Sequence, residues 1–104
     1  MLQAFVNRVE FGMEPQRAVE APRFATYSFP DSFEPHGYQP GRLNLESRLP
    51  RGTGEALSSL GHDVQWWPQW IWRAGAVCMI HADPDTGLLT AAADPRRASY
   101  ALGW

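Results

Sequence analysis

Leu2, Phe5, Val6 and Val9 recur at helical spacing, so the first ten residues predict an amphipathic helix that Gly12 can end. A short second helix is expected from Pro15, whose fixed φ and missing N–H suit the first helical position. It turns Ala18 and Val19 inward and stops at Pro22. Residues 23–29 alternate weakly, as a strand would. Residues 30–41 hold three prolines and two glycines without a period, which predicts a long loop that must wrap over something to be ordered. Leu43 and Leu45 alternate with polar residues up to Glu46, the pattern of an edge or half-buried strand. Leu57 and Leu60 mark one face of a helix beginning near Thr53, with Gly61 placed as its left-handed cap. Residues 63–67 then read as a strand. Residues 75–81 and 88–93 read as two more, joined across 83–87, where Pro84 suits a type I turn and Gly87 a bulge with positive φ. The fold expected is α+β: helices plus an antiparallel sheet with a C-terminal hairpin, in a single domain over residues 1–104.

Composition narrows the function classes. The 104 residues carry a net charge of −2 and no basic run; Arg96-Arg97 is the only adjacent basic pair, so no nucleic-acid partner is expected. No apolar run approaches the ~20 residues that cross a bilayer, so no membrane partner is expected either. One cysteine, Cys78, excludes an internal disulfide and the usual zinc motifs, and its apolar strand setting predicts a small buried hydrophobe. Met1-Leu2-Gln3 lacks the start of a signal peptide, so the chain as given reads as cytoplasmic. Five Trp, five Phe and three Tyr point to an aromatic-rich core or to a surface that expects a partner.

The polar positions divide between chemistry and support. Arg23 could take a substrate carboxylate, but an Arg23–Glu46 pair tying neighbouring strands is the favoured reading. Asp94-Pro95-Arg96-Arg97 reads as a turn, with Asp94 bonding local backbone and Pro95 fixing φ. His81 and Asp83 share a strand face, yet neither His36 nor His62 supplies a third ligand at a diagnostic spacing, so no metal and no cofactor are expected. His62 suits the C-terminal end of a helix electrostatically. The Trp66-Trp67-Pro68-Gln69-Trp70-Ile71-Trp72 segment reads as a loop packed on the hairpin, or as a contact surface.

Five blocks in order carry a further signal: Gly12-Met13-Glu14-Pro15-Gln16-Arg17-Ala18, Ala21-Pro22-Arg23-Phe24, Leu45-Glu46, Leu60-Gly61-His62-Asp63-Val64 and Ala93-Asp94-Pro95-Arg96-Arg97. Together they resemble the C-terminal end of the small subunit in the γ-glutamyltransferase (γ-glutamyltranspeptidase) family. The resemblance implies a C-terminal fragment of an N-terminal-nucleophile hydrolase, an αββα sandwich. Its parent cleaves itself, and the new N-terminal threonine attacks the γ-glutamyl amide of glutathione-type substrates. That threonine and the family's serine and glycine pairs have no counterpart here. Thr26, Thr53, Thr86 and Thr90 are internal, and a threonine serves as its own base only through a free, adjacent α-amino group. No catalytic, substrate-binding or metal residue is therefore assigned, and the chain alone is expected to be inactive. Its expected partner is the missing threonine-bearing half or further copies of itself in a homo-oligomer. The resemblance leaves a periplasmic or secreted parent open. The competing expectation is a non-enzymatic, self-associating or partner-docking module.

Overall fold

A computed structural model of the chain describes residues 1–103. They divide into two compact units, one of Pro22–Ala74 and one joining Met1–Ala21 to the stretch from Gly75 onward. Two helices, α1 (Leu2–Val9) and α2 (Pro15–Glu20), precede the first strand.

The central unit is a three-stranded sheet crossed by a helix. Strand β1 (Phe24–Thr26) pairs antiparallel with β2 (Arg42–Glu46), setting Phe24 opposite Leu45 and Thr26 opposite Leu43. Strand β3 (Asp63–Trp67) pairs with the other side of β2 in parallel, setting Leu43 opposite Val64 and Leu45 opposite Trp66. The sheet is thus mixed rather than wholly antiparallel. A parallel return needs a crossover, and helix α3 (Arg51–Ser59) supplies it. Strand β2 is not the edge or half-buried strand its alternation suggests. It lies between the other two, and Leu43, Asn44, Leu45 and Glu46 are all buried.

Helix α3 begins at Arg51, two residues before Thr53, and ends as its sequence predicts. Gly61 adopts φ 96° and donates to the Ser58 carbonyl (2.9 Å) while the His62 N–H reaches Leu57 (3.2 Å), so the last turn is closed by a Schellman pair of bonds. Gly54 is buried on its inner face, where a Cβ would overlap the Trp66 ring. A short 3-10 turn (Trp72–Ala74) closes this unit.

The second unit packs α2 across a hairpin of β4 (Met79–Ala82) and β5 (Leu89–Ala92), with Ala18, Val19, Pro15 and Ala92 buried at the centre. Met79 pairs with Ala92 and Ala82 with Leu89. The connection has the expected form. The Asp83 N–H bonds the Leu88 carbonyl (2.9 Å), its carboxylate receives the N–H groups of Asp85 (2.8 Å) and Thr86 (3.0 Å), and Gly87 sits at φ 71°. Strand β4 starts at Met79, later than its apolar run suggests. Cys78 consequently lies before the strand and is exposed, not buried. Helix α1 buries only Ala4, and Leu2, Phe5 and Val9 are exposed.

Candidate functional site

Two buried ionic clusters organise the polar chemistry, one in each unit. In the hairpin unit the side chains of Asp94 and Arg96 are both 0% exposed and lie 3.1 Å apart. Asp94 also receives the backbone N–H groups of Arg96 (3.0 Å) and Val77 (3.1 Å). The Arg96 guanidinium donates to the carbonyls of Val19 (3.0 Å) and Ala21 (2.9 Å), the last acceptors of α2. One arginine thus neutralises a buried carboxylate and caps a helix C-terminus, where positive charge is favoured. The turn with Asp94 bonding local backbone is present, as expected. Its long-range half, from Arg96 to α2, lay beyond any local pattern.

In the sheet unit Arg23 and Glu46 do meet. The Arg23 N–H donates to Glu46 Oε2 (2.9 Å), and the Glu46 N–H returns a bond to the Arg23 carbonyl (2.9 Å). Arg48, which sequence reasoning passed over, donates to the same Oε2 at 2.9 Å. The Arg23 guanidinium reaches the Ala74 carbonyl (3.2 Å), so both residues are built into the frame that positions β1 and β2. Among the described residues no buried side-chain nitrogen or oxygen lacks a partner.

The histidines are dispersed. His81 Nε2 lies 2.7 Å from Arg8 Nη2, and His36 Nδ1 lies 2.9 Å from the Asp31 carbonyl. Among the described residues no three His, Cys, Asp or Glu side chains gather as a metal set. The Asp83 carboxyl is held below the ordinary aspartate range, first by the Thr86 backbone N–H and next by that of Asp85. His81 adds a smaller push in the same direction. That shift belongs to the turn. Thr26 lies in β1, Thr53 in α3, Thr86 in the hairpin turn and Thr90 in β5, all within the chain and none with a free α-amino group.

The tryptophans split by position. Trp67 is buried edge-on to Tyr27, with centroids 6.5 Å apart, and Trp66 packs on Gly54 with the Arg51 guanidinium 4.3 Å from its centroid. Trp70 carries Arg48 over its face at 3.6 Å, yet Trp70 and Trp72 both remain exposed. Open cavities among the described residues include a groove on the hairpin and a pocket beside the sheet. A groove of about 680 Å³ runs along the hairpin between Ile80, Leu88, Leu89, Ala91 and Leu102. A polar pocket of about 260 Å³ lies between Tyr27, Asp31, Gln39, Arg42 and Arg73. Among the described residues no helix is long and apolar enough to cross a membrane.

Comparison with known proteins gives this arrangement a family. Residues 1–104 match the gamma-glutamyltranspeptidase family. The chain is 38% identical over 92 residues to the Acylase ACY 1 proenzyme of Pseudomonas sp. (strain SE83), covering 88% of this chain and 14% of that protein. The solved structure of LmbA2991HD superposes with a TM-score of 0.82 at 39% identity, over 91% of this chain and 17% of that one. An acivicin-inhibited gamma-glutamyltranspeptidase superposes with a TM-score of 0.70 at 25% identity, over 94% of this chain and 46% of that one. The chain therefore spans about one seventh of the curated relative it matches (14%). It belongs to the gamma-glutamyltranspeptidase family, as the C-terminal portion of larger chains with the N-terminal-nucleophile hydrolase fold.

Proposed function

We propose that this chain is the C-terminal portion of a gamma-glutamyltranspeptidase-like or acylase-like enzyme, and that the catalytic threonine is supplied by another segment. The observation that carries this reading is the match of the whole chain to the family, set against its 14% share of a curated relative. The parent reaction is transfer or hydrolysis of a γ-glutamyl or related acyl amide. The threonine hydroxyl attacks the amide carbonyl, its α-amino group takes the proton, and the amine leaves. Water or an acceptor amine then releases the acyl group. Two acid–arginine clusters support a framing role for this chain, since both are buried and bonded to backbone rather than presented to a substrate. In the acivicin-inhibited gamma-glutamyltranspeptidase the C-terminus has critical roles in autoprocessing and catalysis, and we extend such a role to this region. The identity to an acylase proenzyme (38%) exceeds that to this transpeptidase (25%), which favours hydrolysis of an acyl amide as the parent's reaction.

The test is complementation. The chain alone should not hydrolyse a γ-glutamyl anilide, because oxyanion donors and nucleophile are each worth orders of magnitude in rate. Co-expressed with a threonine-bearing half from the same family, it should co-purify and turn over that anilide or an acyl amide. Turnover that tracks the isolated chain through purification would overturn the assignment. The exposed apolar side chains of α1 and the hairpin favour a second reading, a self-associating module, which gains if no such half is retained.

A further inference from the structure

The loop between β1 and β2 is long, yet it is tied at its base and across its middle. Gln39 donates its N–H to the Tyr27 carbonyl (3.0 Å), Asp31 donates to Gly37 (2.9 Å), and the Gly41 N–H bonds Ser28 Oγ (3.2 Å). Long ordered loops of this kind are commonly functional. This one walls the polar pocket of about 260 Å³ together with Arg42 and Arg73.

The charges on those walls are kept apart. Arg42 is oriented by uncharged partners: its Nε donates to Asn44 Oδ1 (3.0 Å), its Nη1 to Gln39 Oε1 (2.5 Å), and its plane lies over the Tyr27 ring at 5.4 Å. These partners fix the guanidinium without neutralising it. Arg73 lies 6.0 Å from the Trp72 ring centroid and makes no hydrogen bond or ion pair among the described residues. Asp31 Oδ1 receives the Phe33 N–H (3.1 Å), and its carboxylate forms no ion pair with either arginine among the described residues. Among the described residues, one pocket therefore holds two cations and one anion that form no ion pair, on separate wall positions.

Such a site discriminates by charge. A dianion gains from the arginines but meets Asp31, and a dication meets both arginines. A ligand carrying one carboxylate and one ammonium satisfies all three groups, and arginine suits the carboxylate through its paired N–H donors. The volume lies just below that of drug-sized pockets, which limits the ligand to about the size of an amino acid. We propose that the pocket between Tyr27, Asp31, Gln39, Arg42 and Arg73 binds a small zwitterion, its carboxylate held by the two guanidiniums and its ammonium by Asp31. The proposal uses only residues of the sheet unit and stands independently of the enzymatic reading.

The full chain can be titrated by 1H–15N correlation spectroscopy with 4-aminobutanoate, succinate and 1,4-diaminobutane, which share a four-carbon chain and differ in their end charges. The expected result is saturable movement of the Tyr27, Gly37 and Gln39 amides with 4-aminobutanoate, roughly tenfold tighter than with either symmetric probe. Arg73→Gln should weaken it by roughly tenfold or more, Arg73→Lys should retain part of the affinity, and Asp31→Asn should abolish the preference over succinate. Arg73 and Asp31 are exposed, so unchanged amides elsewhere will show that each variant is folded. Succinate binding as tightly as 4-aminobutanoate overturns the proposal in favour of a simple anion site. So does the absence of saturation up to roughly 50 mM.

Discussion

At the scale of residues, Arg96 carries the most weight. Its guanidinium touches a carboxylate two positions back and two carbonyls 77 and 75 residues upstream, so one side chain joins the end of α2 to the end of the chain. Removing either member strands the other in a buried site, where breaking an ion pair costs about 3–5 kcal/mol. We expect Asp94→Asn and Arg96→Ala each to lower stability by about that amount. The double variant should cost clearly less than the sum of the two, because the second change removes a charge already left uncompensated. Urea unfolding of the three proteins measures this, and strict additivity would count against the clamp. Local sequence carried half of the arrangement. An Asp two residues before an Arg, with Pro between, announces a turn that bonds its own backbone, and it does. The partner carbonyls on α2 belong to tertiary structure and have no local signature. Glu46 shows the same division. Its pairing with Arg23 is anticipated by the sequence, although the bond to its carboxylate comes from the Arg23 main-chain N–H, whereas the bond from Arg48 depends on how the chain leaves β2.

At the scale of elements, helix ends and the hairpin were legible because capping and turn chemistry act within a few residues. Gly61 and Gly87 both adopt the positive φ their positions call for. Strand β2 was not. Leu43 and Leu45 alternate with Asn44 and Glu46, a pattern that normally turns polar side chains to water. Here Asn44 accepts from Arg42 and Glu46 from Arg23 and Arg48, so the polar face is buried with its bonds made. The parallel direction of β3 likewise depends on α3 crossing between the strands, which periodicity does not encode. Two substitutions test these elements. Gly87→Val meets no neighbour within 4 Å, so its cost is backbone strain alone, about 1–2 kcal/mol. A variant as stable as the parent in thermal unfolding would refute the left-handed turn. Gly54→Ala sets two effects against each other. Helix propensity favours alanine by about 1 kcal/mol, but the new methyl overlaps a Trp66 ring that already carries the Arg51 guanidinium of the same helix. Overpacking costs about 1–3 kcal/mol, so the clash should win and the variant should unfold at lower urea. A stabilised variant would mean that Trp66 swings away freely.

At the scale of the whole molecule, the apolar surface left uncovered is what remains to be explained. Phe5 is 58% exposed on α1, Ile80 and Leu89 are 75% and 68% exposed on the hairpin, and the groove along that hairpin is lined by apolar side chains. A two-stranded ribbon is marginal by itself in water, and each large apolar side chain left wet forgoes roughly 1.5–3 kcal/mol. On the proposed reading, a chain spanning 14% of its curated relative lacks most of the neighbours that the rest of such an enzyme would supply, so these faces are expected to find substitutes. Alone in solution it should form a homodimer or larger closed assembly, two-fold symmetry being the commonest. Phe5→Asp on α1 or Trp70→Ala in the tryptophan segment should shift the mass toward monomer or aggregate, read by size-exclusion chromatography with light scattering. Adding the threonine-bearing half should compete with self-association if the same faces serve both, so the homo-oligomer should disappear as the mixed complex forms. A monodisperse monomer at tens of micromolar, where a contact worth roughly −6 to −7 kcal/mol would already register, would show that the chain tolerates its exposed faces. The self-associating reading would then fall.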